Sequence, residues 1–204
     1  MIKKAGGKGL SHVIFVCMAI LVGLTLIIAG VKLTATAKPV GGGAHTTKGQ
    51  KVEKAIFASG CFWKPQFLFS QLPGVVKTQV GYCGGKVDSP DYKQVCTDTT
   101  GHAEAVLVEF DPAKITYKDL LAKFFTIHDP TTLNRQGPDV GSQYRSAIFY
   151  TNDEQKTEAL AALEKAKKEA GGRKVVTEVV AAPTFWAAED YHQDYFKKHG
   201  AVCH

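Results

Sequence analysis

No aspartate or glutamate occurs among the first 50 residues of this 204-residue chain. That absence decides how the formal charge of +6 is read. Lys3, Lys4, Lys8, Lys32, Lys38 and Lys48 all lie in the acid-free stretch, and the remaining 19 basic residues match the 19 acids found from residue 51 onward. A balanced main body carries no electrostatic footprint for nucleic acid. The five cysteines include no Cys-x-x-Cys pair, and no cysteine and histidine stand at zinc-ligand spacing, so a dithiol motif and a structural zinc site are both disfavoured. There is no internal repeat, and the composition excludes collagen, coiled coil, disulfide-dense scaffolds and wholly disordered chains.

Lys3, Lys4 and Lys8 precede an uncharged apolar run from Val13 to Val31, the arrangement that export machinery reads with its positive end kept in the cytoplasm. Nineteen residues are long for the apolar core of a cleaved signal, which is usually about 7 to 15 residues, and long enough to span a bilayer as a helix. Ala35-Thr36-Ala37 nevertheless offers a small-residue cleavage pattern. Residues 1–37 are therefore expected to be a signal peptide or a signal anchor, and residues 38–50, with Gly41-Gly42-Gly43, a flexible linker. Cys17 lies inside the apolar run and is not read as a lipid attachment site. The expected location is extracytoplasmic, in the periplasm or cell envelope, with membrane contact only through this segment.

Residues 51–204 are long enough to bury a core without covalent staples. Strands are expected over Val52 to Ala58, Val75 to Gly81, Ala103 to Phe110 with period-2 character, Ser146 to Tyr150 and Val175 to Ala181. A helix is expected from near Cys61, with Pro65 in its first turn and Pro73-Gly74 as its stop. Thr116 to Ile127 carries an apolar stripe of Leu120, Leu121, Phe124 and Phe125. Asp153 to Ala170 reads as a capped helix ending at Gly171-Gly172, and Ala188 to Lys198 as a last short one. The fold class is α+β: a two-layer sandwich with a ferredoxin-like core of mixed sheet and packed helices.

Gly60-Cys61-Phe62-Trp63 places a thiol at a strand-to-helix turn. Unpaired backbone N–H groups and the positive end of the helix dipole favour thiolate there, and Phe62 and Trp63 make sense as walls of a small apolar pocket over the sulfur. The tetrapeptide alone fits a buried structural cysteine beside two core aromatics equally well. Glu104, in Gly101-His102-Ala103-Glu104, sits where a strand begins among apolar neighbours. Burial would keep it protonated near neutrality, ready to act as an acid. Asp139 and Tyr144 lie in a polar, glycine-bearing loop from Gly137 to Ser146 and are available for hydrogen bonding.

Taken together, residues 54 to about 204 resemble the A-type peptide methionine sulfoxide reductases. The resemblance rests on Gly60-Cys61-Phe62-Trp63, Gly81-Tyr82 with Gly84-Gly85, Gly101-His102-Ala103-Glu104, Asp139 with Gly141-Ser142-Gln143-Tyr144-Arg145-Ser146, and Ala188-Glu189-Asp190-Tyr191-His192-Gln193, all in family order. It implies that Cys61 is the nucleophile, Glu104 the general acid, Tyr92 and Tyr144 the groups that hold the sulfoxide oxygen, and Asp139 an acid acting through water. Phe62 and Trp63 would enclose the methyl group and bind the substrate, selecting the S epimer. The resulting Cys61 sulfenic acid would be resolved by Cys203 on the tail, or by Cys83, and recycled by a thioredoxin-like protein or another dithiol. No bound cofactor or metal is implied, the partners are oxidised proteins or peptides and the reductant, and a monomer is the default.

The chain departs from the family pattern at Lys64-Pro65-Gln66, where relatives carry Gly or Cys and then Glu, and at Cys83, where a small non-thiol residue is usual. Two other readings compete with the reductase. A thiol peroxidase would also use an activated cysteine, although Phe-Trp walls a methyl group better than it serves a peroxide. A catalytically inactive module that binds oxidised methionine would not need the full set of reactive residues.

Overall fold

A computed structural model describes residues 51–200, so the leader over 1–37, the linker over 38–50 and the tail thiol Cys203 lie outside the described residues. Strand β1 (Glu53–Ser59) leads through helix α1 (Trp63–Ser70) into β2 (Val75–Cys83). The short helix α2 (Tyr92–Cys96), β3 (Ala103–Phe110) and α3 (Tyr117–Thr126) follow. A small hairpin, β4 (Arg135–Gln136) and β5 (Asp139–Val140), precedes a 3-10 turn at Ser142–Tyr144. The chain then forms β6 (Ser146–Tyr150), α4 (Asp153–Glu169), β7 (Glu178–Ala181), β8 (Trp186–Ala187) and α5 (Tyr195–His199).

One six-stranded mixed sheet runs in the order β7-β6-β1-β3-β2-β8. β3 is antiparallel to both β1 and β2, and β6 is antiparallel to β1 but parallel to β7. The central order β6-β1-β3-β2, with α1 and α3 as the crossovers, is the expected ferredoxin-like core. One face of the sheet is covered by helices. Phe57 stacks there on Phe69 of α1 at 5.2 Å and on Phe124 of α3 at 5.4 Å, and Ala159 of α4 joins the same apolar cluster. The other face carries Ile56, Cys83, Ala103, Ala105, Ala147 and Phe149, with Ala182 and Phe185 packed over them. Its small side chains let a loop approach where the first face admits whole helices.

The N-terminal caps follow the sequence. The Thr116 side chain accepts from Asp119 N while Asp119 reaches back to Thr116 N, and Asn152 caps α4 by accepting from Gln155 N at 2.9 Å. Several boundaries differ from expectation. Strand β3 is buried at six of its eight positions rather than at alternate ones, because as a central strand it is covered on both faces. The stretch Val175–Thr177 is not strand, since Val176 N donates to Pro130 O and the Thr177 hydroxyl pairs with that of Ser146. The expected last helix, Ala188 to Lys198, is helical only from Tyr195 on, in α5. Asp194 has φ +53, and the side chains of Glu189 and Gln193 bond to neighbouring elements instead of facing solvent along a helix. Helix α2, the β4/β5 hairpin and β8 were not expected, being two to five residues long. Among the described residues no helix is long and apolar enough to cross a membrane.

Candidate active site

Strand β1 ends at Ser59, and the chain turns through Gly60 at φ +89, where an added Cβ would lie 2.7 Å from Gln136 Cγ. Only glycine meets both conditions. Cys61 follows, half-buried, and Phe62 carries helical backbone angles as the N-cap, so α1 proper starts at Trp63, two residues later than expected. Glu104 enters as the second residue of β3, 2% exposed, and its Oε2 accepts from Phe62 N at 3.1 Å. Burial pushes its carboxyl pKa up to about 8, which the Phe62 N–H opposes and the nearby Asp139 charge reinforces. At neutral pH this carboxyl holds a proton.

Tyr144, on the 3-10 turn, is raised above the ordinary phenol range first by burial and then by the charges of Glu104, Asp139, Cys61 and Cys96. Tyr92, first residue of α2, is raised by burial, then by its hydrogen bond to Cys96, with Glu104 and Tyr144 adding to it. Both hydroxyls therefore keep their protons and serve as donors. Tyr144 thus lies within electrostatic reach of Cys61, Glu104 and Asp139, and Tyr92 within reach of Glu104 and Tyr144, while Cys61, Trp63 and Asp139 line one cavity of about 460 Å³. A hollow of about 790 Å³ bordered by Ile56, Leu107 and Phe185 lies on the other face of the sheet and carries none of these residues.

The aromatic walls are fixed by the segment after β8. Trp63 stacks on Tyr195 at 3.8 Å between ring centroids, and its indole Nε1 donates to His192 Nδ1 at 3.1 Å. His192 also meets the Phe62 ring edge-on at 5.2 Å. Glu189 accepts from Tyr82 Oη at 2.9 Å and from Tyr92 N at 2.8 Å. Burial pushes the Glu189 carboxyl up, but these hydrogen bonds outweigh it and hold the group below its usual range. Gln193 bridges both backbone groups of Val80, and Asp194 N donates to Gln66 Oε1 at 2.8 Å. Gln66 is thus an anchor for this segment.

Other candidates fall outside the chemistry. His102 Nδ1 accepts from Gly85 N at 3.1 Å and its Nε2 donates to Val87 O, so it pins the Gly84-Gly85 turn against the start of β3. Cys83 is fully buried among Phe149 and Ala147, its thiol pKa pushed up to about 12 by burial, and it belongs to the sheet face away from the helices. That position leaves it a poor resolving thiol, and Cys96 is exposed, so the two form no disulfide. Among the described residues no group of three or more His, Cys, Asp and Glu is placed to hold a metal.

Tyr82, Glu189, His192 and Gln193 belong to the site's frame although none was a candidate. The signal was the density of hydrogen-bonding side chains in Ala188-Glu189-Asp190-Tyr191-His192-Gln193, which a helical reading obscured. Residues 53–204 match the family model of peptide methionine sulfoxide reductase.

The chain belongs to that family.

A peptide methionine sulfoxide reductase MsrA from Methanosarcina acetivorans is 59% identical over 154 residues, covering 74% of this chain and 81% of the relative. Among solved structures, reduced Mxr1 from Saccharomyces cerevisiae is similar at 36% identity with a TM-score of 0.71, covering 76% of this chain and 89% of that one. Mxr1 has also been solved in complex with Trx2, where the likeness is 25% identity with a TM-score of 0.51 over 71% of this chain and 85% of that one. This peptide methionine sulfoxide reductase fold brings Cys61 into one region with six other candidates and leaves only Cys203 beyond the described residues.

Proposed function

We propose that the chain reduces methionine-S-sulfoxide in proteins and peptides to methionine. One observation carries the reading: Glu104, buried and protonated at neutral pH, is hydrogen-bonded to the residue that follows Cys61. Oxygen leaves sulfur poorly unless it is protonated, and a carboxyl with a pKa of about 8 both holds a proton and can give it up. The Cys61 thiolate attacks the sulfoxide sulfur while Glu104 protonates the oxygen. Tyr92 and Tyr144 donate to that oxygen, Phe62 and Trp63 enclose the methyl group, and Asp139 acts through water. The two walls and the oxygen-holding pair are fixed relative to each other, so one epimer fits. The protonated oxygen leaves as water, a water then attacks the Cys61 sulfur and displaces methionine from it, and Cys61 is left as a sulfenic acid.

Cys203 then attacks the sulfenic sulfur, giving a Cys61–Cys203 disulfide and water, and a thioredoxin-like dithiol reduces that bond. The support is Gly200, at φ +79, at the base of the tail, together with the burial that disqualifies Cys83. The enzyme works as an extracytoplasmic monomer, delivered by residues 1–37 as a signal peptide or a signal anchor. Support comes from the lysines ahead of the uncharged apolar run.

Turnover of separate S and R sulfoxide peptides with dithiothreitol tests the reading. The S epimer should be reduced and the R epimer spared, with no activity in Cys61→Ser. Equal turnover of both epimers, or activity that survives the substitution, overturns it. Cys203→Ser should keep one turnover and lose recycling by a thioredoxin-like donor.

A further inference from the structure

A sulfoxide sulfur carries three substituents, and the reading above, on which this inference rests, places two of them. The oxygen faces Tyr92, Tyr144 and Glu104, and the methyl group faces Phe62 and Trp63. The third bond leads along the methionine side chain to the polypeptide. The cavity of about 460 Å³ that starts at Cys61 and Trp63 continues along Ile127, Pro138 and Phe196, and its wall includes none of Glu104, Tyr92 and Tyr144. It therefore leaves the sulfur on the side away from the oxygen-holding groups, and its volume is in the range of a small-molecule site rather than of one methyl thioether.

Ser59, Lys64 and Asp139 give its wall polar groups near Cys61, whereas two other polar side chains are already engaged. Gln136 Nε2 donates to Asp129 O at 2.7 Å and Gln136 Oε1 accepts from Asp129 N at 3.1 Å. His128 Nδ1 donates to Phe124 O at 2.8 Å, and its Nε2 accepts from Ser146 Oγ at 2.7 Å, so the ring is neutral. The apolar part of the wall is made by Trp63, Pro65, Ile127, Pro138 and Phe196, with Lys64 and Asp139 at its polar side. A second apolar groove, between α3 and α4 at Leu121, Phe125 and Ala162, touches no reacting residue and lacks this continuity.

We propose that the cavity beyond Cys61 is a subsite for an apolar side chain neighbouring the oxidised methionine in an extended polypeptide. The enzyme then reads the residue beside the oxidised methionine as well as the sulfoxide.

The test compares wild-type kcat/KM for two S-sulfoxide pentapeptides that differ only in a leucine or a serine beside the oxidised residue, with capped methionine-S-sulfoxide amide as the third substrate. The leucine peptide should be favoured about tenfold, as expected for burying one apolar side chain. Ile127→Asn should bring the leucine-to-serine ratio close to one while the capped residue changes far less than the leucine peptide. A wild-type ratio of one overturns the proposal without any variant, as does a parallel loss for all three substrates in Ile127→Asn. A leucine preference seen only after removal of residues 201–204 assigns the cavity to the tail and overturns it too. Failure to reduce even the capped residue would refute the reductase reading instead.

Discussion

The two halves of the site are built differently. Cys61, Phe62 and Glu104 stand at the ends of β1 and β3, central strands whose site ends are tied by the pairs Ser59 with Ser146 of β6 and Glu104 with Tyr82 of β2. Tyr92, Asp139 and Tyr144 stand on elements of five, two and three residues, held by side-chain hydrogen bonds. Glu189 fixes the start of α2, and Asp98 ties the loop after α2 to the 3-10 turn through Ser142. The contrast follows the work each half does. A carboxyl kept protonated at neutral pH needs dry, rigid surroundings, because any opening that admits water returns its pKa toward 4.5. Donors to a ligand oxygen need a fixed position but not a dry one, so short elements locked by side-chain hydrogen bonds suffice for them.

Glu104→Gln breaks the rigid half with the largest effect. Glutamine keeps an acceptor for Phe62 N but supplies no acid, so sulfenic acid formation should slow about 10²-fold or more, measured in a single turnover. Wild-type activity that depends on this proton should fall as pH rises through about 8, and the variant should lose that dependence. Stability moves the same way. The folded carboxyl binds its proton more tightly than the unfolded one, so between the ordinary value of 4.5 and about 8 the native state carries the extra proton, and stability is lost as pH rises through that window. Denaturant melts at pH 5 and pH 9 should show wild type losing on the order of a few kcal/mol from this group, and Glu104→Gln keeping it. An unchanged slope would move the acid elsewhere.

The same contrast governs what the residues revealed before the fold was known. The strand-end half was legible: the apolar run before Gly60 and the apolar neighbours of Glu104 dictate two central strands, and the turn between β1 and α1 puts Cys61 at their edge. The loop half was recognised only by family resemblance, since Asp139 and Tyr144 fit an ordinary turn as well. What locks it was not legible at all. Asp98 and Ser142 are 44 residues apart, and nothing local to either predicts their hydrogen bond. Ala188 to Gln193 misled because its polar residues look like the exposed face of a helix, whereas Glu189 and Gln193 reach 107 and 113 residues back in the chain to Tyr82 and Val80. The partners of His102 were equally hidden: its ring nitrogens bond to Gly85 N and Val87 O, and a Cβ on Gly85 would lie 2.3 Å from the ring.

Asp98 offers the gentlest way to separate the halves. Its Oδ1 accepts from Ser142 N at 2.8 Å and from Ser142 Oγ, and its backbone has φ +61, a conformation that Asp and Asn tolerate and most residues resist. Asp98→Ala removes both acceptors and the conformational tolerance, so the turn that carries Tyr144 is no longer tied to the helix that carries Tyr92. Each lost hydrogen bond is worth about 0.5–1.5 kcal/mol, and kcat/KM for an S-sulfoxide peptide should drop about three- to tenfold. Asp98→Asn keeps the Oδ1 acceptor and should stay within about twofold of wild type. The pH at which activity falls should be the same in all three proteins, because Asp98 contributes nothing to the burial of Glu104. A shift of that midpoint in Asp98→Ala would mean that the loop half seals the acid from water, and that rigidity in the strands alone does not hold its proton.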